Sequence, residues 1–101
     1  MKTAVTDNPS ASRFEITVDD ELAGYLYYRE DRGEYAIPHT RVFPQFRHQG
    51  VGAALVVSSL EAIRDRRGTV LPYCPFVPKV IRDHPELAEL VPESERESFG
   101  V

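Results

Sequence analysis

The sequence predicts an α+β domain: a mixed β-sheet packed on one long central helix, in the order β-β-β-α-β-α-α. Three observations lead there. The first half of the chain alternates apolar and polar residues with a period of two. From Val51 to about Arg67 the period changes to three and four. Short charged turns join the early segments, as in an antiparallel meander, whereas the long amphipathic segment carries the chain back for one parallel strand.

The elements follow in order. "RFEITV" (Arg13–Val18) alternates, with Phe14, Ile16 and Val18 on one face. "DDE" turns the chain, and the tyrosine-rich "LAGYLYYRE" (Leu22–Glu30) forms the second strand. "DRG" turns it again into "EYAIPHTRV" (Glu34–Val42). Pro38 lacks the N–H for one ladder bond, which predicts an edge, bend or bulge there. Val51, Leu55, Val56, Leu60 and Ile63 form the apolar stripe of the long helix, which stops at Gly68. "TVLPY" (Thr69–Tyr73) is the returning strand. Pro75 and Pro78 open a second helix running to about Arg82, and "PELAELV" forms a last short one capped by Asp83 or His84.

At 101 residues the chain is expected to be one domain, 1–101, with about 1–12 a flexible lead-in and about 93–101 a frayed tail. The formal net charge of −4 argues against double-stranded nucleic acid, which calls for a basic face. No run approaches the roughly 20 apolar residues of a membrane helix. The single cysteine, Cys74, excludes an internal disulfide framework. The polar N-terminus lacks the apolar middle of a secretory signal. Together these give the expectation of a cytoplasmic protein, without nucleic acid or membrane as partner.

The stretch with most chemistry in it is "FPQFRHQGVGAALV" (Phe43–Val56). Arg47, Gly50 and Gly52 stand at the mouth of the long helix. A helix start leaves about four backbone N–H groups unpaired and carries partial positive charge. Glycine lets an oxyanion approach that backbone, and arginine adds a bidentate donor. The same glycines also suit a plain left-handed turn and close helix–sheet packing, and the pair alone leaves both readings open. A Walker loop needs Gly-Lys-Ser/Thr, and a Rossmann loop needs a third glycine where Leu55 stands; neither is present.

"RHQGVG" resembles the R/Q-x-x-G-x-G/A signature of the GNAT superfamily of acyl-CoA-dependent N-acyltransferases. Strand, glycine loop, amphipathic helix and strand follow in the superfamily's order. The chain is most similar to its small single-domain GNAT-like members. They share His39-Thr40-x-Val42, the Arg47–Gly52 loop, the Val70–Val77 segment with its Cys-Pro-Phe-Val, and His84-Pro85-Glu86. Arg41 departs from that pattern, standing where an acidic residue is frequent, and Pro78 stands where alanine is frequent. The resemblance implies a GNAT-like minimal fold and acetyl-CoA as co-substrate. It implies contacts to coenzyme A from Val42, Phe43, Arg47, His48, Gln49, Gly50, Val51, Gly52, Ala53 and Cys74. The pantetheine arm would run between the Val42 strand and the Leu71–Tyr73 strand. The reaction implied is acetyl transfer to an unidentified amine of a small molecule or protein, by a monomer or weak dimer. The alternative is an acyl-CoA-binding module or interaction domain with little or no turnover. The helices after the first strand and the final hairpin of larger GNAT enzymes are missing, which implies an open acceptor site.

Cys74 and His39 are the catalytic candidates. A thiolate at a helix start is activated for attack on a thioester. A neutral histidine beside it suits a general base. Against these stand a small buried thiol and a half-buried strand histidine. Direct attack by the amine on the thioester needs neither residue as a nucleophile. The cysteine and histidines contain no close-spaced ligand pair, so no metal is expected. Tyr25, Tyr27, Tyr28 and Tyr35 read as strand packing rather than a base-stacking platform.

Overall fold

In the computed structural model, which describes residues 1–101, five strands form one sheet in chain order. Strands β1 (Thr3–Asn8), β2 (Arg13–Val18), β3 (Glu21–Asp31) and β4 (Glu34–Val42) are antiparallel neighbours. Strand β5 (Thr69–Leu71) lies parallel to β4 and is reached through helix α1 (Val51–Asp65). Helix α2 (Phe76–Asp83), a 3-10 turn over Pro85–Leu90 and helix α3 (Glu93–Phe99) complete the chain. The α+β class, the meander, the parallel return and the long helix stand as the sequence predicts. No helix is long and apolar enough to cross a membrane.

Both ends of the chain correct the expectation. The lead-in contains an ordered edge strand, β1, which makes the sheet five-stranded. Its sequence is too polar to announce itself, because an edge strand buries only part of one face. Val5 packs against the core, and Asp7 is tied down by two partners. The Tyr28 hydroxyl donates to Asp7 Oδ1 at 2.8 Å, and Arg66 Nη2 reaches Asp7 Oδ2 at 2.9 Å. The tail is a helix rather than a frayed end. Glu93 and Glu95 favour its N-terminus electrostatically. Phe99 meets Tyr73 edge-on at 5.3 Å, and Arg96 Nε donates to the Val91 carbonyl at 2.9 Å. The "PELAELV" segment forms the 3-10 turn rather than an α-helix.

The core is one-sided. Val51, Leu55, Val56, Leu60 and Ile63 of α1 are buried against Phe14, Ile16, Leu26 and Ile37 of the sheet. Each such side chain is worth about 1.5–3 kcal/mol relative to exposure. The opposite face of β2–β4 carries Arg13, Glu15, Tyr25, Tyr27, His39 and Arg41, none of them buried. There Arg13 Nε pairs with Glu15 Oε2 at 2.7 Å, and the Arg13 guanidinium lies 4.5 Å over the Tyr25 ring. The hydrogen bonds from Arg13 and then Asn8 pull the Glu15 carboxyl below its usual range.

Pro38 marks a β-bulge. Tyr27 pairs with His39, but Arg29 pairs with Ala36, so β4 holds one residue more than β3 across this interval. The extra residue reverses the alternation. Tyr35 and Ile37 face the core before it, whereas Thr40 and Val42 do so after it, and His39 and Arg41 go to the open face.

Candidate functional site

The loop between β4 and α1 is built to leave its main chain unpaired. After a short 3-10 turn (Pro44–Phe46), Arg47 folds back and donates from Nε to the Val42 carbonyl at 3.3 Å. His48 and Gly50 both adopt left-handed backbone, with φ of 64° and 76°. A non-glycine residue there is uncommon and marks a constrained loop. The first α1 amide to find a partner is Ala54, bonded to Gly50 O at 3.1 Å. None of the N–H groups from His48 through Ala53 donates to another group of the chain. A helix start leaves such donors unpaired, and this loop extends the set by two residues before Gly50.

The two glycines do different work. A side chain at Gly50 would meet nothing within 4 Å, so its need is the left-handed φ, and the space before its backbone is open. A Cβ on Gly52 would come within 3.0 Å of the Phe76 ring and 3.4 Å of Val42 Cγ2. Gly52 therefore lets the start of α1 settle against β4 and α2.

The unpaired amides border a cavity of about 430 Å³. Val42, Arg47, His48, Gly50, Val51, Gly52 and Ala53 line one side of it; Phe76, Lys79, Val80 and Asp83 of α2 line the other, with Phe46 between. Lys79 was not among the sequence candidates. The i, i+4 spacing of Lys79 and Asp83 puts them on one helix face and was the available signal. Two cations, a histidine and a row of N–H donors suit a diphosphate; Asp83 is the one acid on the rim.

Beyond Leu71, β5 leaves β4. The ladder covers only Glu34–Ala36 against Thr69–Leu71, and the last main-chain bond runs from Cys74 N to Ile37 O at 2.9 Å. Along the freed edge of β4 lies a second cavity of about 460 Å³, sharing Val42, Arg47 and Phe76 with the first. His39 lines it, with its ring stacked on Tyr27 at 6.3 Å.

His39 and Cys74 are not hydrogen-bonded to each other. The bulge at Pro38 sends His39 to the open face, while Cys74 joins the core at 7% exposure. Cys74 lines neither cavity. It stands just before the Pro75 cap of α2, and its carbonyl accepts from Val77 N at 3.0 Å. Two other expected contact residues also lie off the cavities. Phe43 packs edge-on against Tyr25 at 5.9 Å, and Gln49 turns its side chain to the Gln45 carbonyl at 3.4 Å. For Gln49 only the backbone N–H remains available.

Residues 13–90 match the protein family described as GCN5-related N-acetyl-transferase. Among solved structures, the chain is similar to Ard1 from Thermoplasma volcanium, with a TM-score of 0.51 and 30% identity over 58% of this chain and 41% of that one. It is also similar to a GNAT-family protein from Desulfovibrio desulfuricans, with a TM-score of 0.50 and 29% identity over 57% of this chain and 40% of that one. The chain thus spans well under half the length of these two structures. No curated protein matches it.

Proposed function

The chain belongs to the GCN5-related N-acetyltransferase family, and on that basis we propose that it is an acetyl-CoA-dependent N-acyltransferase acting on an amine. One observation carries the assignment: the unpaired N–H groups from His48 through Ala53 border a cavity that also presents Arg47, His48 and Lys79. In this reading these groups hold the pyrophosphate of coenzyme A, and open space before Gly50 admits it. The splay between β4 and β5 gives the pantetheine arm its path toward the second cavity.

Acetyl-CoA supplies a thioester carbonyl, at which an amide N–C bond forms as the C–S bond breaks. The chain's own contribution is positional: it fixes the diphosphate and leaves a freed strand edge beside the arm. The burial of Cys74 away from both cavities favours direct attack by the amine. His39, exposed in the second cavity, is the group placed to take up the amine proton.

Calorimetric titration with acetyl-CoA tests the binding step. Arg47→Ala and Lys79→Ala are each expected to weaken it by about tenfold while keeping the fold. Unchanged affinity in both variants removes the phosphate seat from this loop. An intact mass after incubation with acetyl-CoA then separates the routes of transfer. Direct transfer leaves no acetyl adduct, and Cys74→Ala still acetylates amines. An adduct of one acetyl group that vanishes in Cys74→Ala establishes the covalent route instead. Tight CoA binding with no transfer to any amine indicates a binding module.

A further inference from the structure

The second cavity has a charge of one sign. It is lined by His39, Thr40, Arg41, Val42, Arg47 and Phe76, with no carboxylate among them. Its two guanidiniums are not committed to acids. Arg13 on the same open face is neutralised by Glu15 at 2.7 Å, but neither Arg41 nor Arg47 has an ion-pair partner in the chain. Arg41 rests over the Phe43 ring at 5.6 Å, a stacking contact that leaves its N–H edge free. Guanidiniums without acid partners at the mouth of a cavity make a receptor for a small oxyanion.

In the acyltransfer reading Arg47 serves the phosphates of coenzyme A, which leaves Arg41 as the cation particular to the second cavity. The row of unpaired amides borders the first cavity, and Arg41 lines only the second. The two cavities meet at Val42, Arg47 and Phe76, so a ligand in the second lies beside the end of the cofactor path. We propose that the second cavity is an acceptor subsite for a carboxylate, and that Arg41 selects acceptors carrying a carboxylate a few bonds from the reacting amine. This rests on the acyltransfer reading above, and it names the acceptor class as amino acids or similar amino-carboxylates. The residue before the bulge-shifted Val42 sets the charge of the subsite because the bulge at Pro38 turns it to the open side of the sheet.

N-acetylglycine and N-acetylglycinamide differ only in the carboxylate and represent the two product classes. Each is titrated into the CoA-loaded protein while the backbone resonances of residues 39–42 are followed by NMR, with CoA affinity measured alongside. N-acetylglycine is expected to bind about tenfold more tightly. Arg41→Gln should erase the preference, Arg41→Lys should keep part of it, and Arg41→Glu should reverse it. Glycine and glycinamide compared as acetyl acceptors should rank the same way, with the difference in KM. Equal binding of the two probes, or a preference that survives Arg41→Gln, overturns the inference while CoA binding stands. Failure of CoA itself to bind overturns the acyltransfer reading, and the acceptor assignment falls with it.

Discussion

Tyr28 is the residue whose chemistry the fold changes most visibly. Its ring is buried and its hydroxyl donates to Asp7 at 2.8 Å. Burial first, and the neighbouring Asp7 second, push its pKa up to about 12 from an ordinary value near 10. The neutral phenol is therefore the form the folded state favours. Its contribution is fully present below pH 10 and is lost as the pH rises toward 12, because the unfolded chain gives up the proton first. Urea unfolding followed across that window should show a loss on the order of 2 kcal/mol, and Tyr28→Phe should lack that component. An identical alkaline slope in the variant would assign the loss to other groups. At this scale the sequence was legible where chemistry is local. The motif of Arg47, Gly50 and Gly52 is readable because all three fall within six residues at the mouth of α1. Lys79 did not show itself, since its partners are brought together by α2 crossing the start of α1. The sequence sets His39 beside Cys74, but one extra residue in β4 sends His39 to the open face while Cys74 joins the core.

At the scale of the element, the course of β4 determines the site, and Gly24 permits that course. A Cβ on Gly24 would overlap the Arg41 carbonyl oxygen and come within 3.1 Å of Val42 Cα. Backbone cannot yield there as a flexible side chain can. Gly24→Ala should cost about 2–4 kcal/mol in chemical denaturation, since β3 and β4 must part at the residues lining both cavities. A loss below 0.5 kcal/mol would mean that β4 shifts freely at this point. Most element boundaries were readable because the apolar period names them: Arg13–Val18, Glu34–Val42 and the start of α1 at Val51 are as the pattern has them. β1 was not readable. Its polar residues are satisfied by partners far along the chain, Tyr28 and Arg66, which no local pattern reveals. The helix over Glu93–Phe99 was hidden in the same way, being held by Tyr73, Val91 and Arg82.

The whole molecule is a sheet covered on one face, with both cavities at the margin where β5 ends. Acetyl-CoA binding only the folded chain should stabilise it by about 2.7 kcal/mol at one hundred times its dissociation constant. For a domain of this size that corresponds to a rise of roughly 10 °C or more in melting temperature. Thermal scans at graded acetyl-CoA concentrations check this, and a midpoint that does not move excludes binding. The clamp of Asp7 on Arg66 has a consequence for how such a ligand is felt. Helix α1 is 15 residues long, about 22 Å from end to end. Its far end is moored to the first strand, while its near end has amides with nothing to hold. The helix is thus a strut fixed at one end. On the acetyl-CoA reading proposed above, a ligand at the glycine loop would fasten the second end as well, and the edge strand, joined to the same helix through Asp7 and Arg66, would be secured from a distance.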